Sequence, residues 1–180
     1  RPNVDAILYF CAEILPLIRK RIPAAMLSVV GANVSPTLLR TLRDYDIDLR
    51  GKVPDIREPM SNHAVFVCPI RIGAGVRVKI LECFAAGIPV VSTSLGAEGL
   101  DSRHGAEIML ADSPSDFADR TVELLSDEQS AAAMALSARS LVNSTYDWPV
   151  VSQRLESIYW ELVAKKSVGT VKKHEAIASQ

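Results

Sequence analysis

The sequence is poor in the residues that mark several common classes of protein. It has three cysteines in 180 residues. Cys11, Cys68 and Cys83 show no C-x-x-C spacing and lie within apolar runs, which predicts buried free thiols rather than a disulfide framework or a zinc site. Its apolar stretches are far shorter than the roughly 20 residues that cross a bilayer. No transmembrane segment is expected, and a reducing compartment, the cytoplasm, is the expected location.

The sequence also lacks an excess of charge of either sign. Lysine and arginine total 20 against 21 aspartate and glutamate, so the formal net charge is -1. A chain without a strong positive field has little attraction for nucleic acid or an anionic membrane, so no nucleic-acid partner is expected. The apolar share of 48% is sufficient to build the core of one α/β domain.

Strands and helices alternate along the chain. The apolar spacing from Val4 to Ile18 predicts a helix with Asn3 as its N-cap and a kink near Pro16. Apolar runs predict strands at 25–30, 47–50, 64–68, 89–93 and 107–111, and the segments between and after them predict helices at 36–44, 54–62, 76–86, 114–125, 128–143 and 149–164. Apolar periodicity then stops, so we expect a domain over 1–165 and a flexible polar tail over 166–180.

This alternation predicts an α/β fold with a doubly wound parallel sheet and right-handed crossovers. In such sheets ligands bind at the carboxyl ends of the strands. We therefore look for function in the loops that follow the predicted strands.

The loop after the strand at 64–68 carries two glycines, Gly73 and Gly75, and leads directly into a helix. Glycines let the backbone approach a ligand, and the free N–H groups at a helix start favour an anion such as phosphate. A tight turn with a surface pair between Lys79 and Glu82 explains the same residues without a ligand. On a helical wheel, however, Arg77 falls within the apolar arc, which favours an anionic partner for it.

The segment 69–99, PIRIGAGVRVKILECFAAGIPVVSTSLGAEG, resembles the nucleotide-sugar-binding signature of retaining GT-B glycosyltransferases of the family-four (group one) type. About 30 consecutive residues carry this resemblance. It implies a Rossmann-like C-terminal, donor-binding half of a two-domain enzyme, with extra C-terminal helices. It also implies sugar transfer from a nucleotide sugar to an unidentified acceptor, with retention, in glycan biosynthesis, and without a metal or cofactor.

The resemblance assigns roles to individual residues. Glu82 matches the second glutamate of the family's E-x7-E motif, which implies hydrogen bonds to the donor ribose. The donor phosphate and sugar would lie at six residues of the loop and helix start: Gly73, Ala74, Gly75, Val76, Arg77 and Lys79. The nucleobase would lie at the loop after the strand at 47–50, which is formed by Gly51, Lys52 and Val53.

Two departures from the family pattern matter. The first glutamate of the motif, which holds hydroxyls of the transferred sugar, is replaced by Ala74. In addition, relatives place a central strand upstream of the position of Arg1, so we expect that strand and the whole N-terminal half to be missing from this chain. The cleft histidine of retaining relatives would lie in that half. We therefore assign no catalytic residue here, expect the segment alone to be inactive, and leave open peripheral membrane contact through the missing half.

Other functions remain open at this point. A non-hydrolysing nucleotide-sugar epimerase uses the same two-domain architecture but needs acidic and histidine acid–base groups in its cleft. A non-catalytic Rossmann-like module is a second alternative. A flavodoxin-like receiver is disfavoured because the strand at 47–50 ends in Gly51-Lys52 rather than at a phosphorylatable aspartate. A dinucleotide-binding dehydrogenase is disfavoured because no G-x-G-x-x-G run follows the early strands.

Overall fold

The computed structural model of the protein describes residues 2–32 and 34–178, with side chains described as far as residue 164 except that of residue 61. The chain divides into two compact units, residues 1–141 and 142–180. The domain predicted over 1–165 extends across both units. The larger unit contains all of the strands found in the described chain.

Helices and short strands alternate through the larger unit. The strands are β1 (Ser28–Val30), β2 (Asp48–Gly51), β3 (Phe66–Cys68), β4 (Val90–Ser92) and β5 (Met109–Leu110). The helices are α1 (Pro2–Tyr9), α2 (Leu15–Arg21), α3 (Pro36–Leu42), α4 (Arg57–Ser61), α5 (Val78–Ala86), α6 (Pro114–Ser126) and α7 (Glu128–Leu141). Each predicted element is present; four of the observed strands are shorter than predicted, and β2 has the predicted length but is shifted by one residue.

All strand pairs are parallel, which confirms the predicted α/β class. β1 pairs with β2 in one sheet, and β3, β4 and β5 form a second sheet in that order. Within the described chain no ladder joins β1 to β3. The residues of β4 are fully buried, whereas those of β1 are only half-buried. The apolar run at 25–30 is typical of a strand buried on both faces, so this strand is covered less than its sequence indicates.

The first helix is continuous but irregular, as the proline predicts. A π-helical turn, Phe10–Ile14, separates α1 from α2, and the Leu15 amide bonds to the Phe10 carbonyl. Because Pro16 has no N–H and its ring would clash with the carbonyl four residues earlier, the widened turn accommodates it. Asn3 is not the N-cap, since α1 already includes Pro2.

The main core lies between this first helix, α6 and the three-stranded sheet. Phe10 meets Phe117 edge-on, with ring centroids 6.0 Å apart, and Ile14 and Val91 are fully buried in the same cluster. A second cluster forms around Cys11, Leu38 and Leu42 under the two-stranded sheet. The two apolar clusters fix the helices against the sheets and so set where the loops at the carboxyl ends of the strands lie.

The three cysteines are buried free thiols, as predicted. Burial raises the pKa of Cys11 to about 11 and raises that of Cys83 further. Both thiols therefore stay protonated and act as small apolar side chains.

The smaller unit is helical in its described part. A π-helical turn, Val142–Tyr146, is followed by the helix α8 (Trp148–Ala178). This helix continues beyond residue 165, into the segment predicted as a polar tail; residues 179 and 180 lie outside the described chain. Among the described residues, no helix combines the length and apolarity that a membrane span requires.

Candidate functional site

The loop between β3 and α5 packs against the start of α1. Gly73 and Gly75 have φ angles of 116° and 91°, which L-residues rarely adopt. A Cβ on Gly73 would lie 3.1 Å from Nη2 of Arg77 and 3.3 Å from the ring of Pro2. The loop therefore needs glycine both for its backbone conformation and for its close approach to neighbouring groups.

Helix α5 starts at Val78, two residues later than the sequence predicts. Val76 is not helical and is 49% exposed, while Arg77 occupies the N-cap position without a side-chain cap. The prediction that Arg77 lies on the apolar arc of a helix was therefore wrong, because Gly73 and Gly75 are left-handed and the helix begins only after Arg77. The first N–H groups of α5 have no side-chain cap. Uncapped N–H groups at a helix start are the groups that bind anions.

The predicted cations lie beside this helix start. Arg77 donates from Nη1 to the carbonyl of Ala74 at 3.3 Å, whereas its Nε and Nη2 atoms are shielded from solvent without a partner among the described residues. Lys79 donates to Oδ1 of Asn3 at 3.3 Å. Burial raises the pKa of the Cys68 thiol, and the charges of Lys79 and Arg77 oppose that rise. Both cations are therefore close to the end of β3.

Glu82 lies one turn after Lys79 on α5. Its side chain is exposed, and it makes no hydrogen bond or ion pair with any described residue. An unpaired, solvated carboxylate can accept from two adjacent hydroxyl groups. The geometry of Glu82 thus leaves its carboxylate available to a ligand.

A pocket of about 350 Å³ opens at the carboxyl ends of β1 and β2. Gly31, Gly51 and Lys52 line it, whereas Val53 does not. Its remaining walls are apolar and come from α1, α3, the two strands and the loop between β1 and α3: Ile7, Val29, Ala32, Val34, Leu38, Leu39, Leu42 and Leu49. A concave apolar site with backbone at its rim can hold a planar ring.

Helix α1 borders both the pocket and the loop between β3 and α5, residues 69–77, which we call the glycine loop. Its Ile7 lines the pocket, its Pro2 lies against Gly73, and its Asn3 contacts Lys79. The sequence alone did not assign Pro2, Asn3 or Ile7 to the site, because contacts between segments that are distant along the chain leave no local pattern. Across the described residues, no group of three His, Cys, Asp or Glu side chains could hold a metal ion.

Comparison with known proteins identifies the class to which this arrangement belongs. A parallel α/β fold with a glycine-bearing loop and a pocket at the strand ends is typical of domains that bind ligands at that edge of the sheet. The model of the glycosyl transferases group 1 family matches residues 1–127. The chain therefore belongs to that glycosyltransferase family, as the resemblance of segment 69–99 predicted.

Two curated relatives give the scale of the match. A GDP-mannose-dependent alpha-(1-6)-phosphatidylinositol monomannoside mannosyltransferase of Mycobacterium tuberculosis is 32% identical over 158 residues, covering 78% of this chain and 40% of that protein. An uncharacterized 44.6 kDa protein from the cps region of Klebsiella pneumoniae is 26% identical over 153 residues, covering 81% of this chain and 39% of that protein. The chain thus spans about two fifths of the length of these relatives.

Solved structures share the fold. HepE of Anabaena, solved with UDP and glucose, superposes with a TM-score of 0.70 at 16% identity, covering 81% of this chain and 43% of that one. The C-terminal domain of a group 1 glycosyl transferase, LpcC of Francisella tularensis, has a TM-score of 0.68 at 21% identity. The match covers 81% of this chain and 82% of that one. The α/β, Rossmann-like fold expected from the sequence is therefore confirmed.

Proposed function

We propose that this chain is the donor-binding half of a retaining glycosyltransferase that moves a hexosyl group from a nucleotide sugar to an acceptor without a metal ion. Family membership and the nucleotide-bound neighbours support sugar transfer in general. The observation that carries the proposal is the placement of the pocket at β1 and β2, the glycine loop and the uncapped α5 start around one helix, α1.

The proposal assigns each part of a nucleotide sugar to a group of residues. The base occupies the apolar pocket, with the backbone of Gly51 and Lys52 at its rim. The diphosphate lies at the N–H groups near Gly75 and Val76, where the unpaired N–H groups of Arg77 and the ammonium of Lys79 supply positive charge. Glu82 accepts hydrogen bonds from the ribose hydroxyls.

The replacement at Ala74 bears on recognition of the sugar. No carboxylate at that position is available for sugar hydroxyls, and the Ala74 carbonyl instead accepts from Arg77. The loop therefore gives the sugar main-chain groups and a cation in place of the first glutamate of the motif. A donor bound mainly through its base and diphosphate is the expected consequence.

We further propose that a strand from outside residues 2–178 completes the sheet between β1 and β3 in the whole enzyme, and that the acceptor site and catalytic groups lie in an N-terminal half. Two parallel sheets with half-buried residues on β1 and β3 support this arrangement. Amide hydrogen exchange should therefore be slower at β1 and β3 in a longer chain that includes upstream sequence than in this one. Equal exchange in both chains would exclude an inserted strand.

Calorimetric titration with UDP, GDP and ADP tests the donor assignment. At least one of them should bind the wild-type chain, and Glu82→Gln should weaken binding by about 1.5–3 kcal/mol, the range for hydrogen bonds to a charged group. Chelation of divalent ions with EDTA should leave the affinity unchanged. Glu128→Gln, which removes an exposed carboxylate from the first turn of α7, is the matched control. Equal affinity of the Glu82 and Glu128 variants would remove Glu82 from the site.

A further inference from the structure

A charged side chain in the glycine loop is held entirely by residues of α1. Arg71 donates from Nη2 to Oδ1 of Asp5 at 2.9 Å and from Nε to Oδ2 at 3.2 Å. Its Cζ atom lies 3.8 Å from the centroid of the Tyr9 ring. Asp5 and Tyr9 are four residues apart, on the same face of the helix. The guanidinium is thus bracketed by a carboxylate and an aromatic face.

The contact lies at the surface, with its aromatic side covered and its carboxylate partly covered. The Asp5 side chain is 27% exposed and the Arg71 side chain is 42% exposed. Tyr9 is only 5% exposed. The hydrogen bonds from Arg71 use both oxygens of Asp5, a geometry that fixes orientation as well as distance. The Asp5 pairing also raises the pKa of Arg71. The pair therefore has a defined geometry rather than a diffuse attraction.

Tyr9 extends the connection to the loops of the other strands. Its hydroxyl donates to the carbonyl of Asp112, after β5, at a long 3.5 Å. The Asp112 carboxylate accepts from the amide of Ser94 at 2.8 Å and from its hydroxyl at 2.7 Å. Ser94 follows β4. One chain of contacts therefore joins the loops at the carboxyl ends of β3, β4 and β5 to helix α1.

We propose that Arg71 is a positioning residue for donor binding: by clamping the loop to Asp5 and Tyr9, it holds Gly73–Val76 in the conformation that binds the diphosphate. The inference rests on the proposed function. Gly73 and Gly75 have wide conformational freedom, so an anchor two residues before Gly73 reduces the entropy that the loop loses when a ligand binds. Arg71 itself is occupied by Asp5, which leaves the direct contacts to Arg77 and Lys79.

Three measurements on the whole 180-residue chain test this clamp. Amide exchange reports the loop at 73–76, calorimetry reports the affinity for UDP and GDP, and thermal melting reports the fold. Arg71→Ala should speed loop exchange and weaken nucleotide binding about tenfold, while the amides of β4 keep their protection. Arg21→Ala, which removes a similar long-range pair with Asp119, is the matched control and should leave both loop and affinity unchanged.

Conservative and reciprocal changes separate positioning from a general loss of stability. Arg71→Lys keeps the charge but loses the two-oxygen geometry, so its affinity should lie between those of wild type and Arg71→Ala. The exchanged pair Asp5→Arg with Arg71→Asp should recover most of the lost affinity, although each single change weakens binding.

The outcomes are distinguishable. A wild-type chain that binds no nucleoside diphosphate would overturn the proposed function and this inference together. Wild-type binding that survives Arg71→Ala unchanged would overturn the inference alone, as would a loss of affinity without faster exchange at 73–76. Failure of the exchanged pair to recover any affinity would show that Arg71 acts other than through Asp5, and would also overturn it.

Discussion

The hydroxyl of Thr93, just after β4, forms a hydrogen bond to Ile70 in the loop after β3. Its Oγ1 atom donates to the carbonyl of Ile70 at 2.5 Å and accepts from the amide of Gly96 at 2.9 Å. Thr93 is 3% exposed. A single buried hydroxyl therefore satisfies two backbone groups, one in the glycine loop after β3 and one in the loop after β4.

Thr93→Val should lower the free energy of unfolding while leaving the volume of the side chain at that position nearly unchanged. Valine has nearly the same volume, but it leaves a buried carbonyl and a buried amide unpaired, at a cost of about 1–3 kcal/mol each when water cannot replace the hydroxyl. Urea unfolding measures the loss. Thr93→Ser keeps the hydroxyl and should retain most of the stability, so equal losses in the two variants would mean that the methyl group, and not the hydrogen bonds, stabilises the site.

Gly96→Ala should be destabilising for a steric reason. A Cβ at this position would lie 2.8 Å from the backbone carbonyl oxygen of Cys68, closer than real contacts allow, and against Oγ of Ser92. Because the Cys68 carbonyl belongs to a strand and cannot move freely, we expect a loss of about 1–3 kcal/mol. At Gly31 an added Cβ meets nothing within 4 Å, so Gly31→Ala should change stability by less than about 1 kcal/mol. Thermal melts of the two variants make the comparison, and similar melting temperatures would contradict it.

Stability should fall at acid pH in part through Glu107. The side chain is 7% exposed, accepts from Nη2 of Arg103 at 2.6 Å and from the Arg103 amide at 2.8 Å, and has its pKa lowered by these hydrogen bonds. A lowered folded-state pKa means that the stabilisation is present above the unfolded-state pKa of about 4.3 and is lost as the pH falls through the folded value.

The measurement is the difference in unfolding free energy between wild type and Glu107→Gln, followed from about pH 7 to about pH 3. The difference should be largest near neutrality and should shrink in the acid range. A parallel series with Glu128→Gln corrects for charge effects that do not depend on Arg103. A difference that stays constant across the range would show that Glu107 does not contribute through its charge.

The order and type of the elements could be predicted because they follow from local patterns. Ser113 caps α6 through its hydroxyl, which accepts from the Asp116 amide at 3.1 Å, and Gly87 ends α5 with a φ of 74°. A small capping residue before a proline and a glycine after an apolar helix are local signals, so the sequence contains enough information to place them. Pro16 likewise predicted an irregular turn in the first helix.

The geometry of the candidate site could be predicted less well. The start of α5 depends on the left-handed conformations of Gly73 and Gly75, and the periodicity of the following residues does not reveal them. The pairs Arg71–Asp5 and Lys79–Asn3 join segments that only the folded chain brings together. The division of the strands into two sheets depends on which edges find hydrogen-bonding partners, and residue patterns do not specify those partners.

The most direct test of a donor site at the carboxyl ends of these strands is an amide NMR titration of the ¹⁵N-labelled chain with UDP and GDP, with inorganic pyrophosphate in parallel. We expect a nucleotide to shift the amide signals of Gly51 and Lys52 at the pocket. It should also shift those of Gly75, Val76 and Lys79 at the start of α5. Pyrophosphate should shift only the second group. Nucleotide-induced shifts confined to the β5 edge at 107–110, or no shifts at saturating nucleotide, would contradict a donor site at the carboxyl ends of these strands.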